Sequence, residues 1–290
     1  MIYTVENGHM SVSVKTKGAE LTSVYSKDAE FEYLWQGDPD IWYGQAPILF
    51  PIVGRLLDDK YRLGGAEYTM PKHGLARKRE FELVSKSDNS LVFEWTHDDE
   101  TLQAYPYKFR LIVTYLLSGK KLSVKHEVVN ENDGYMYFSL GAHPGFNCEM
   151  GDYIEFDEPE TLETEKIDLV EALRIKDKAP VLSNSKNIII TEDIFNEDAL
   201  ILSGYKSKNV TLKSENHGRA VNFSLGDAPY LGIWAKPGAP YVCIEPWYGV
   251  NDDFEKKDDF SEKYQIQTLA KGETFEFTWS ADIIDAEFPD

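Results

Sequence analysis

The sequence predicts an all-β fold, a sandwich of antiparallel strands with few short helices. Three observations carry that expectation. Apolar and polar residues alternate with a period of two in segment after segment, as half-buried strands require. Turn residues break those segments at short intervals, as in Asn132-Asp133-Gly134 and Ser118-Gly119. Helical periodicity is scarce, and short strands without intervening helices favour a sandwich over βαβ units.

In chain order, the first clear strand is SVSVKT (11–16), and the segment 38–45 is where a short helix is expected. FELVSK (81–86), LVFEWTH (91–97), FRLIVTYLL (109–117) and KLSVKHEVVN (121–130) follow as alternating strands. The stretch 157–198 is the most polar and reads as an excursion over the surface rather than a domain boundary. NVTLKS (209–214) and YLGIWA (230–235) come next, the charge-rich 251–264 reads as a loop, and ETFEFTWSA (273–281) is the last strand. No linker, composition break or internal repeat divides the chain, so residues 1–290 are read as one domain.

Of the 290 residues, 42% are hydrophobic and 13% aromatic, which supports a sizeable core and suits stacking on sugar rings. The formal net charge of −20 opposes partnership with nucleic acid or with anionic membrane surfaces. It does not oppose a neutral sugar. The two cysteines, Cys148 and Cys243, make no disulfide framework and no CxxC, and they read as small core residues of a protein in a reducing cytoplasm. MIYTVENGHM has neither the basic start nor the apolar core of a signal peptide. No run approaches the ~20 apolar residues of a spanning helix. A cytoplasmic location is therefore expected.

Two dipeptides place ionisable groups at strand positions: His143-Pro144 in FSLGAHPGF and Glu245-Pro246 in YVCIEPWYG. A residue before proline is biased to extended backbone. Ser139, Gly141 and His143 share one face of their segment, and that face, stripped of bulk, suggests room for a ligand. Glu245 shares its face with Tyr241 and Cys243. A buried carboxylate in such a setting is either paired or functional. A His and a carboxylate at strand ends form a candidate general acid/base pair. Against this, His143 alone reads equally well as a buried structural histidine. Arg55 in LFPIVGRL either binds a ligand or pairs with Asp58 or Asp59. PKHGLARKRE holds His73, Arg77, Lys78 and Arg79 in the one basic cluster of an acidic chain. Asp198 opens the apolar run of NEDALIL, and Lys236 follows the strand containing Trp234. His9, His97, His126 and His217 sit in polar strand or turn contexts and receive no role.

The ordered set FPIVGRL, HGLAR, GAHPGF, NEDALI and EPWYG resembles the aldose 1-epimerase (mutarotase) family, in particular its LacX-like bacterial branch. The resemblance runs from GAELTSV to GETFEFTW and so covers essentially the whole chain. It implies a large antiparallel β-supersandwich and the interconversion of sugar anomers without cofactor or metal. It also implies Glu245 as general base, His143 as general acid, and Arg55, His73 and Asp198 as substrate-binding residues. Arg77 resembles a position found also in the hexose-6-phosphate branch, where an arginine can face phosphate. The expected partner is a small-molecule sugar or sugar phosphate. A bell-shaped pH profile with a neutral optimum would need His143 to titrate near or above ~6.5.

Two other classes fit some of the same residues. His73, His143 and Glu245 would make a two-histidine, one-carboxylate metal site, although neither histidine lies in an HxH or HxD pattern. A sugar-binding module or sensor would need the same aromatic and arginine groups without the acid/base pair. Whether the sugar is neutral or phosphorylated stays open on the sequence.

Overall fold

The structure, a computed structural model, describes residues 1–285. Among the described residues a 15-stranded sheet carries most of the chain, beside a four-stranded N-terminal sheet and two two-stranded ribbons. The long pairings are antiparallel: Phe109–Ser118 runs against Lys121–Asn130, which runs against Thr274–Ile284. Their sequences explain this. Phe109, Leu111, Val113, Tyr115 and Leu117 are buried on one face, while the residues between them face outward. Lys121–Asn130 alternates in the same way, with Leu122, Val124, His126 and Val128 inward. His126 thus departs from its polar-looking context: it is buried and stacks on Phe277 with ring centroids 5.5 Å apart. No helix of the described residues is long and apolar enough to cross a membrane.

Five neighbouring strands of the large sheet set up the site. Leu140–Ala142 lies beside Tyr241–Tyr248, which lies beside Tyr230–Trp234, then Leu200–Ser203, then Tyr153–Ile167. His143 follows the first of these, Glu245 sits within the second, Trp234 ends the third and Asp198 precedes the fourth. Residues distant in sequence therefore meet on one part of one sheet.

Two sequence expectations need correction. Residues 38–45 form a turn, closed by the Trp42 amide donating to the Asp38 carbonyl at 2.8 Å, and not a helix. The α-helix lies instead at Asp99–Ala104, where Asp98 and Thr101 cap each other reciprocally. The polar stretch 157–198 falls largely within a long hairpin, Tyr153–Ile167 against Arg174–Ile189, rather than a surface excursion. Its outer strand pairs on one side only and is mostly exposed. It therefore carries the lysines and proline that protect a sheet edge, and these hide its strand character.

Candidate active site

His143 Nε2 lies 3.2 Å from Glu245 Oε2. Glu245 is 1% exposed and His143 8%. Burial of Glu245 pushes its carboxyl well above the ordinary 4.5; the Trp247 hydrogen bond and the Lys72 charge pull it down, and Asp198 pushes it up. Burial also drives His143 down to about 3, and the positive charges of Lys72 and Arg77 add to the fall. This is opposite to the near-ordinary His143 that a neutral optimum was expected to need. Both shifts have one cause, since a dry site disfavours either charge. Burial therefore favours the uncharged form of each group, the carboxylic acid of Glu245 and the neutral imidazole of His143.

Trp247 Nε1 donates to Glu245 Oε2 at 3.2 Å and fixes the carboxylate. The indole occupies the space that the small residues leave. A Cβ added at Gly141 would meet Trp247 Cδ1 at 2.8 Å, and one at Gly232 would meet Trp247 Cζ2 at 2.7 Å. The bare face around Gly141 thus seats a tryptophan and not a ligand, which corrects the sequence reading.

The room for a ligand is a cleft of ≈ 490 Å³ above the pair, ample for a monosaccharide. Trp42 stacks on His143 with centroids 5.1 Å apart and on Tyr241 at 5.2 Å. Trp234 meets Trp42 edge-on at 5.6 Å. Trp42 is held in place because its carbonyl accepts from Trp35 Nε1 at 2.8 Å. Such an aromatic wall suits the apolar face of a sugar ring. Sequence reading missed Trp42, which lay in the supposed helix, and gave Trp247 no role although it sits two residues from Glu245.

His73, Asp198 and Arg77 line the same cleft as His143 and Glu245. His73 has φ 66, a left-handed backbone that turns its ring toward His143, with ring centroids 5.9 Å apart. The Gly54 amide donates to His73 Nδ1 at 3.1 Å. An amide only donates, so Nδ1 is the bare nitrogen and Nε2 carries the proton. Burial holds His73 well below the ordinary 6.5, so it is a neutral donor. Asp198 also has positive φ, and its Oδ1 accepts from the Ala199 amide at 2.7 Å. Asn251, which sequence reading passed over, joins the lining and is pinned by Nδ2 donating to the Ala172 carbonyl at 2.7 Å.

Arg55 is not brought to the cleft. Its guanidinium is bidentate with Asp59, at 2.8 and 3.0 Å, and it donates to the Glu171 carbonyl at 3.1 Å. Of the two readings the sequence left open for Arg55, the geometry matches the ion pair. Lys236 is likewise outside the lining, whereas Lys72 is part of it.

The residues best placed for a metal are His143, Cys243 and Glu245, whose ligand atoms lie within 4.8 Å of one another. This differs from the set expected from sequence, because the Nδ1 of His73 is already engaged by Gly54. Burial and the neighbouring Glu245 push the Cys243 thiol well above its ordinary value, against the thiolate that a metal would need.

The aldose 1-epimerase family model matches residues 1–280. Protein LacX of Lactococcus lactis subsp. lactis, in its chromosomal form, is 34% identical over 300 aligned residues, covering 98% of this chain and all of LacX. A galactose mutarotase related enzyme from Lactobacillus acidophilus superposes with a TM-score of 0.93 at 34% identity, covering 98% of each chain. A galactose mutarotase-like protein from Lactobacillus casei gives 0.93 at 30% identity, covering 98% of this chain and 100% of its own. The large antiparallel β-supersandwich that the resemblance implied is the fold shared with these galactose mutarotase-like structures. With residues 1–280 matched by the family model and 34% identity to LacX over 98% of its length, the chain belongs to the aldose 1-epimerase family.

Proposed function

We propose that the cleft interconverts the α and β anomers of an aldohexose by general acid/base catalysis, with Glu245 as base and His143 as acid. The observation that carries this reading is the 3.2 Å contact between His143 Nε2 and Glu245 Oε2, buried beneath an aromatic wall. The two reacting oxygens of a cyclic hemiacetal, O1 and O5, are bonded to the same carbon. An acid and a base that touch one another suit two such neighbouring atoms.

The one proton of the resting pair crosses from Glu245 to His143, giving carboxylate and imidazolium. Glu245 then takes the proton of the C1 hydroxyl as C1=O1 forms. The C1–O5 bond breaks, and O5 receives the proton of His143. This leaves Glu245 protonated and His143 neutral, the state in which the pair began, ready for the reverse transfers on closure. The aldehyde turns about C1–C2 and closes on its other face with the roles reversed. The Nε2–H of neutral His73 and the carboxylate of Asp198 hold ring hydroxyls, and Trp42 and Trp234 flank the ring. None of these steps calls on a cofactor.

Polarimetry with freshly dissolved single anomers tests the proposal. Enzyme treated with EDTA should accelerate mutarotation of at least one aldose above the spontaneous rate, as fast as untreated enzyme does. Activity that vanishes with EDTA and returns with a divalent ion would replace the acid/base reading with a metal site at His143, Cys243 and Glu245.

A further inference from the structure

The strand that carries Glu245 runs on into Asn251, which lines the cleft and is 6% exposed. Asn251 is fastened through both side chain and backbone. Its Nδ2 donates to the Ala172 carbonyl at 2.7 Å, between the two strands of the long hairpin. Its carbonyl accepts from Arg174 Nε at 2.9 Å. The next amide, of Asp252, donates to the Arg55 carbonyl at 2.9 Å, and the Asp252 carboxylate accepts from the Leu57 amide at 3.1 Å. Residues 251 and 252 therefore grip the chain at 54–57.

Gly54 is where that grip reaches the cleft. Its φ of 72 lies in the left-handed region, and a Cβ built there would meet Asn251 Oδ1 at 2.0 Å and Cγ at 2.2 Å. The flat amide of Asn251 thus lies directly on the bare Cα of Gly54. Gly54 in turn holds His73 twice. Its carbonyl accepts from the His73 amide at 2.8 Å, and its own amide donates to His73 Nδ1 at 3.1 Å. The direction of that one N–H decides the tautomer, since an accepting Nδ1 leaves the ring proton on Nε2. If the peptide turns away, nothing opposes a proton on Nδ1, and that form of the ring has no Nε2–H to donate to a sugar hydroxyl.

We propose that Asn251 is a positioning residue for the reaction: packed on Gly54 and tied to the hairpin, it fixes the peptide whose N–H keeps His73 an Nε2–H donor. The inference rests on the reading of the cleft in which His73 holds a ring hydroxyl. It gives glycine at 54 a reason beyond its backbone angle, because any side chain there would displace the Asn251 amide. It also places the general base and the residue that sets the sugar-binding donor on one run of chain, so the two are positioned together.

The test reads the tautomer directly, from the ring nitrogen shifts of histidine-labelled protein, with His73→Asn identifying the His73 signals. KM and kcat for mutarotation of one aldose are measured alongside. Wild-type His73 should carry its proton on Nε2. Asn251→Ala should raise the Nδ1–H form by about 3- to 10-fold, the equivalent of one hydrogen bond, and raise KM by a similar factor with kcat little changed. Gly54→Ala should do the same, because its methyl meets the amide. The double variant should be no worse than Gly54→Ala alone, since the group its methyl displaces is already gone. Val113→Ala, a cut in the core of the large sheet, should lower stability and leave tautomer and KM as they were. Asn251→Ser, a smaller cut, should show part of the Asn251→Ala change and serves if that variant does not fold. A His73 that stays wholly Nε2–H in the folded Asn251 variants, or a KM rise without a tautomer change, overturns the proposal. Additive losses in the double variant overturn it as well, because Asn251 would then not act through Gly54. If the tautomer shifts as expected but the wild type turns over no aldose, the positioning of His73 stands and the mutarotase reading falls.

Discussion

Glu245 and His143 are each unremarkable residue types placed where neither would choose to be charged. Their shared burial makes them one group with one exchangeable proton. This fixes an expected pH behaviour. The doubly protonated pair forms only as pH falls toward about 3, where His143 titrates. The proton is finally lost only above the ordinary carboxylate range, because Glu245 is raised. Between those limits the one-proton state persists, so kcat should be flat through mildly acidic pH, with no acid limb near the ordinary histidine value of 6.5. A kcat profile falling with a midpoint near 6.5 would show that His143 titrates as a solvated histidine. Both residues were legible in the sequence from their dipeptides and strand positions. The shifts were not, because they depend on which side chains close over the pair, and sequence spacing does not show that Trp42 lies on His143.

At the scale of elements, the site is assembled by neighbouring strand ends and by loops tied down behind them. The loop after Tyr241–Tyr248 is the clearest case. The sequence reads 251–264 as a charge-rich loop, and in it Asn251, Asp252 and Lys263 are buried. Arg174, 8% exposed, donates to the Asn251 carbonyl at 2.9 Å and pairs with Glu165 at 2.7 Å and Asp253 at 3.3 Å. Arg174→Ala would leave Glu165 buried and uncompensated, so a loss of about 3–5 kcal/mol is expected. Urea denaturation checks this, and a loss below about 1 kcal/mol would mean that the network does not hold the loop. Sequence reading named eight segments as strands, against 23 strands among the described residues, because alternation is a local signal that the shorter strands do not carry. It missed the Tyr153–Ile167 and Arg174–Ile189 hairpin because an edge exposed to water loses that alternation. It also left Arg55 with two readings, since nothing local distinguishes a ligand-binding arginine from one spoken for by Asp59 four residues on.

For the whole molecule, one sheet gathers residues more than a hundred positions apart onto adjacent strands, and the family's ordered motifs mark those strands in the sequence. The central claim is that the paired Glu245 and His143 carry the proton transfers. Magnetisation-transfer NMR of anomer exchange tests it most directly, comparing the wild type with Glu245→Gln and His143→Asn on one sugar. Gln and Asn keep approximate size and polar contacts but cannot relay the proton. Each variant should lose about 10²–10⁴-fold in exchange rate while still binding the sugar. Exchange at near wild-type rate in Glu245→Gln would contradict the account, because the base would then lie elsewhere.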